Sequence, residues 1–125
     1  MQNELIARTA AYVKEKFENE YSGHDWFHTL RVFRTATRIA EAEGADLVTV
    51  QLAALLHDVD DRKISLKTYE TQANARHFLL SNGVDDETIE HICQIIREIS
   101  FGGNDEVPTT LEGKCVQDAD RLDAI

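Results

Sequence analysis

Proline is absent from the first 107 residues, and the six glycines are thinly scattered, so little in the chain forces the backbone out of helical geometry for long. Ala, Leu, Ile, Glu and Arg fill the intervals with apolar positions three and four residues apart, and this pattern predicts an all-α protein. An Asn3 cap predicts a first helix running to about Asn19, with Ile6, Ala10, Val13 and Phe17 on one face. A second helix is expected from a cap near Asp25 to Glu43, stopped by Gly44. It carries two apolar stripes, Leu30, Phe33, Thr37 and Ala40 on one side and Val32, Ala36 and Ile39 on another, so it should be packed on both faces. A third helix opens at Asp46 and is nearly apolar all round from Leu52 to Leu56, as a core helix is. A fourth is expected from about Leu66 to Ser81, before Asn82-Gly83. A fifth is capped by Asp85 or Asp86, with Ile89, Ile92, Ile96 and Ile99 marking its buried face. FGGNDEVP reads as a loop, and a last helix starts near Leu111.

A length of 125 residues suits one hydrophobic core, and residues 1–125 are expected to form a single domain. With 23 acidic against 13 basic side chains the formal charge is −10, which would repel a phosphate backbone; no basic run offsets it, so nucleic acid is not an expected partner. The most apolar stretch, Val48 to Leu56, is far shorter than the roughly 20 residues of a membrane span, and no membrane association is expected. Glu4 stands where a signal peptide would carry basic charge, which makes the cytoplasm the expected compartment. Cys93 and Cys115 form no C-x-x-C unit and read as buried free thiols.

Three clusters carry chemistry. His57-Asp58 ends the most apolar segment, where an uncompensated carboxylate is costly and a metal would satisfy both side chains. Taken alone, such a dipeptide is more often a helix-end histidine beside a surface aspartate. His24 and His28, in GHDWFHTLRV, lie four residues apart and share a helix face, with His28 on the stripe of Val32 and Ile39. They read as a ligand pair, as a ligand with a substrate-facing neighbour, or as hydrogen-bonded core residues. In VQDADRLDAI, periodicity does not say which of Asp118, Asp120 and Asp123 points inward.

Together, GHDWFHTLRV, LAALLHDVDD and DADRLDA resemble the HD-domain metal-dependent phosphohydrolase superfamily, and its bacterial stand-alone nucleotide-hydrolase branch in particular. The resemblance extends over essentially the whole chain. It implies a compact multi-helix bundle with a central metal site between helices, and His28, His57, Asp58 and Asp120 as ligands of one divalent ion. It also implies that Asp61 stands beside the attacking water, and Lys63 is similar to a basic residue near the phosphates. Relatives of this kind usually continue past DADRLDAI with further helices, so the chain reads as C-terminally truncated against them.

Two imidazoles and two carboxylates form a mixed set suited to Mn²⁺, Fe²⁺, Co²⁺ or Ni²⁺, with Mg²⁺ also admissible. Such an ion activates water and stabilises charge on a phosphoryl group, with Asp61 as the proton acceptor. His24, Arg31, Lys63 and Arg121 are candidates to contact the substrate, expected to be a nucleotide or another small phosphorylated molecule. A homodimer is left open. A catalytically silent metal-binding module is the first alternative. A di-iron oxygenase using His77 and His91 as well is the second, weakened because His91 points away from the isoleucine face of its helix.

Overall fold

The computed structural model describes residues 2–18, 26–59, 72–101 and 108–123. They form an all-α protein of six helices: α1 (Gln2–Glu18), α2 (Trp26–Glu43), α3 (Leu47–Leu56), α4 (Ala73–Ser81), α5 (Asp86–Phe101) and α6 (Leu111–Asp123). No strand occurs among the described residues, and no helix among them is long and apolar enough to cross a membrane.

Helix α3 is the axis of the packing. Leu52, Ala53, Ala54, Leu55 and Leu56 are all buried, which its near-continuous apolar run requires, and α1, α2, α5 and α6 all pack against it. Helix α2 bridges two neighbours, packing most extensively on α3 and α6. Val32, Ala36 and Ala40 are fully buried, while Phe33 and Ile39 are partly buried against the core, so both of its apolar stripes are used. On α5, Ile89, Ile92 and Ile96 are buried as their spacing predicts, joined by Cys93 and Ile95. Both cysteines are free and buried.

The helix ends follow local chemistry. Gly44 and Gly83 take positive φ, 73° and 80°, after α2 and α4, a conformation in which glycine has no Cβ penalty. The Asp85 carboxylate accepts hydrogen bonds from the backbone N–H and the hydroxyl of Thr88, which makes it the cap of α5. Asp46 stands at the N-cap of α3 with extended backbone, but its carboxylate accepts from the Thr49 hydroxyl instead of a backbone N–H.

Two expected boundaries are corrected. Helix α1 already includes Asn3, which therefore does not cap it. A single helix from Leu66 to Ser81 does not form, because Gln72 is left-handed at φ 54° and α4 begins only at Ala73. A left-handed residue cannot lie within a right-handed helix, and the buried side chain of Gln72 lies within the core. Asp25, the expected cap of α2, and residues 102–107 of the expected loop lie outside the described residues.

Candidate metal centre

Three elements converge on one point: the first turns of α2, the C-terminus of α3 and the last turns of α6. His57 occupies the C-cap of α3, directly after the buried leucines, and is itself only 3% exposed. Its Nδ1 donates to the Ala54 carbonyl oxygen at 2.7 Å, using a carbonyl of the last helical turn that has no partner within the helix. The opposite nitrogen, Nε2, is buried with no hydrogen-bond partner. It lies 3.2 Å from Oδ2 of Asp58 and 3.5 Å from Oδ1 of Asp120. His28 approaches from α2, with Nε2 at 3.1 Å from Oδ1 of Asp120 and 3.9 Å from Oδ2 of Asp58. The two imidazole rings meet nearly edge to face, with centroids 5.9 Å apart.

These residues fit a divalent cation. Ligand atoms of His28, His57 and Asp120 all lie within 4.8 Å of one another, and Oδ2 of Asp58 stands beside both imidazoles. Two ligands at right angles about an ion, each about 2.1 Å from it, are about 3 Å apart, and opposite ligands about 4.2 Å, so the observed spacings are those one ion would bridge. A buried imidazole nitrogen left unpaired costs roughly 1–3 kcal/mol, a penalty that coordination removes. Two carboxylates and two neutral imidazoles carry a charge of −2, which a divalent ion balances.

The electrostatics of the metal-free cluster tell the same story. Burial works to lower the His57 pKa, but the Asp58 charge and the contacts to Asp120 prevail and raise it well above 6.5. For His28 the Asp120 contact is the largest influence, and the pKa is raised. Burial acts to raise the Asp120 pKa, yet the two imidazoles hold it below the usual carboxylate range. In the absence of metal, protons do the work of a cation here.

One participant is present in the sequence but not singled out there. Asp123 lies one helical turn beyond Asp120, and its Oδ2 accepts from Nδ1 of His28 at 2.5 Å. Arg31 grips the same carboxylate with Nε at 2.6 Å and Nη2 at 3.1 Å. These partners lower the Asp123 pKa, Arg31 foremost. No pattern within α6 separates Asp123 from Asp118, because the residues that distinguish it lie on α2. Asp118 is exposed.

Of the other expected site residues, Arg121 is exposed about 100° around α6 from Asp120, where with Ile39, Asp118 and Leu122 it lines a surface groove of about 410 Å³. Arg31 is committed to Asp123 through two N–H groups. His24, Asp61 and Lys63 lie outside the described residues. His77 is exposed, and His91 places Nε2 3.8 Å from Oε1 of Glu112; neither belongs to the cluster.

A helical core with a histidine, a His-Asp pair and a later aspartate brought together from separate helices defines an HD domain, and residues 26–125 match that family. The chain belongs to the HD-domain family. It is 40% identical over 117 residues to the protein YpgQ of Bacillus subtilis (strain 168), a match covering 91% of this chain and 57% of YpgQ. The crystal structure of selenomethionine-labelled YpgQ superposes with a TM-score of 0.83 at 33% identity, covering 100% of this chain and 63% of that one. An HD-superfamily hydrolase from Bacillus thuringiensis gives a TM-score of 0.80 at 35% identity, covering 100% and 60%. YpgQ has also been crystallised in complex with ADP; that structure gives a TM-score of 0.76 at 35% identity, covering 99% and 60%. The chain thus spans roughly three-fifths of the length of these relatives and carries the HD-superfamily hydrolase fold.

Proposed function

We propose that this chain is a divalent-metal-dependent phosphohydrolase acting on a nucleotide or a similar small phosphorylated substrate. The observation that carries the reading is the buried Nε2 of His57, which makes no hydrogen bond and lies beside the same Asp120 oxygen as Nε2 of His28. His28, His57, Asp58 and Asp120 would hold one ion, with Mn²⁺, Fe²⁺, Co²⁺, Ni²⁺ and Mg²⁺ all compatible with nitrogen and oxygen donors. When bound, such an ion lowers the pKa of a water molecule and neutralises charge on a phosphoryl oxygen. Asp61, four residues after His57, would take the proton from that water at a carboxylate oxygen. His24, Lys63 and Arg121 would meet the phosphates, with Arg31 adding to the local field from its place on Asp123. Support for a nucleotide comes from YpgQ, a relative crystallised with ADP. The reading takes residues 1–125 as a single HD domain, and assigns it to the cytoplasm, where nucleotides and divalent cations meet.

The test combines elemental analysis of the purified chain with a screen for phosphate and pyrophosphate release from nucleotides in each of the five metals. Metal-dependent release is expected, with Asp61→Ala losing turnover while retaining its ion. Bound metal with no release from any substrate would leave a silent metal-binding module. Absence of any bound metal would sink the centre as drawn.

A further inference from the structure

We infer that Asp123, clamped by Arg31, is a positioning residue for the metal centre: it holds the His28 imidazole with its proton on Nδ1 and its Nε2 lone pair turned toward the ion. This rests on the proposed metal site and adds to it a residue that binds neither ion nor substrate. The two nitrogens of a neutral imidazole are distinguished by whatever partner the non-coordinating one finds. For His57 that partner is a backbone carbonyl, fixed by α3 itself. For His28 the contact is made by a side chain 95 positions away.

Asp123 meets His28 at Nδ1, on the other ring nitrogen from the one that faces Asp120, and both of its oxygens accept hydrogen bonds. Oδ1 accepts from Nε of Arg31 at 2.6 Å, while Oδ2 accepts from Nδ1 of His28 at 2.5 Å and from Nη2 of Arg31 at 3.1 Å. The two-pronged guanidinium contact fixes the carboxylate plane as well as its position, which a single ammonium would not do. Spacing in the sequence supports the arrangement. His28 and Arg31 are three residues apart on α2, and Asp120 and Asp123 are three residues apart on α6, so each helix presents one ligand and one support on neighbouring turns. Arg31 and Asp123 cancel in charge, and the pair orients His28 without altering the charge balance of the ligand set.

The test is titration of the full chain with Mn²⁺, following the free ion by electron paramagnetic resonance, for wild type, Asp123→Asn, Asp123→Ala, Arg31→Gln and His28→Ala. Loss of a hydrogen-bonding support behind a ligating histidine weakens metal binding about 10–100-fold. Asp123→Ala is expected in that range with one ion still bound at saturation. Asp123→Asn should fall between it and wild type, Arg31→Gln should weaken binding in the same direction, and His28→Ala should lose more than any. In ¹⁵N spectra of the Zn²⁺-loaded protein, the His28 Nδ1–H signal should be present in wild type and displaced in Asp123→Ala, a change that a merely structural role for Asp123 would not produce. If Asp123→Ala fails to fold, the Asn variant, equal in size, decides by the same two readings. Unchanged Mn²⁺ affinity and an unmoved His28 signal in a folded Asp123 variant would overturn the inference while leaving the metal site standing. A wild-type chain that takes up no Mn²⁺ would overturn both.

Discussion

His57 binds the chain's own backbone with one ring nitrogen and turns the other to two carboxylates: Nδ1 donates to the carbonyl of Ala54 at 2.7 Å, and the buried Nε2, with no hydrogen-bond partner, lies 3.2 Å from Asp58 and 3.5 Å from Asp120. The helix therefore sets which nitrogen is offered to a cation. His57→Ala is expected to abolish metal binding while α3, held by its buried leucines, still forms. In wild type, an ion at 100 times its dissociation constant stabilises the fold by about 2.7 kcal/mol. Thermal melts with Mn²⁺ and with EDTA should differ for wild type and coincide for the variant; a Mn²⁺ shift retained in His57→Ala would falsify its place in the ligand set.

The raised His57 pKa gives the metal-free protein a definite pH dependence. Its contribution to stability is full below pH 6.5 and is lost as pH rises through the higher folded-state value, because the folded chain keeps a proton the unfolded chain has released. Asp120 acts oppositely: its contribution is present above about pH 3.8 and fades on acidification toward its lowered pKa. Denaturant midpoints in EDTA should therefore peak on the acid side of neutrality and decline at higher pH. Metal competes with the same protons, so Mn²⁺ affinity should rise over the pH range in which metal-free stability falls.

His77 and His91 provide the control for metal assignment. The first is exposed and the second faces Glu112, away from the cluster. Both His77→Ala and His91→Ala should keep one ion per chain by elemental analysis. Loss of metal from either would mean that the centre extends beyond α2, α3 and α6.

Gly113 lies where α6 passes over Pro108. A Cβ there would come within 2.9 Å of the Pro108 Cβ and 3.1 Å of the Thr110 hydroxyl oxygen, and the proline ring has no rotamer into which to retreat. Gly113→Ala should destabilise by about 1–3 kcal/mol, the usual cost of overpacking. Urea denaturation measures it, and a neutral result would show that the start of α6 can shift freely.

Leu79 and Leu80 are adjacent on α4 and lie in opposite environments, one fully buried and the other 62% exposed. Leu79→Ala should cost about 2–5 kcal/mol, whereas Leu80→Ala should stay within about 0.5 kcal/mol. Equal effects would show that α4 is rotated from its described register.

The helical architecture was legible because apolar spacing and burial report the same physical fact. The double-sided pattern of α2 announced a helix that packs on two neighbours, and the all-round apolarity of α3 announced the central one. The start of α4 at Ala73 was not legible, since local propensity carries no sign that Gln72 turns left-handed within the core; residues 66–71 of the expected helix lie outside the described residues. The candidate site was readable only in part. His57-Asp58 stands out because charge follows a buried run, but α6 presents Asp118, Asp120 and Asp123 with little to rank them. Family resemblance singled out Asp120, whereas the contacts that distinguish Asp123 come from His28 and Arg31, far off along the chain.

That distance has a consequence for the order in which the protein is made. Translation delivers His28, His57 and Asp58 long before Asp120 and Asp123, and the packing of α2 against α6 joins an early helix to the last one described. A nascent chain holding only α1 to α5 has two imidazoles and one carboxylate, with neither the second carboxylate nor the support behind His28. On the proposed ligand set, cation capture would therefore be deferred until α6 has been synthesised and docked against α2.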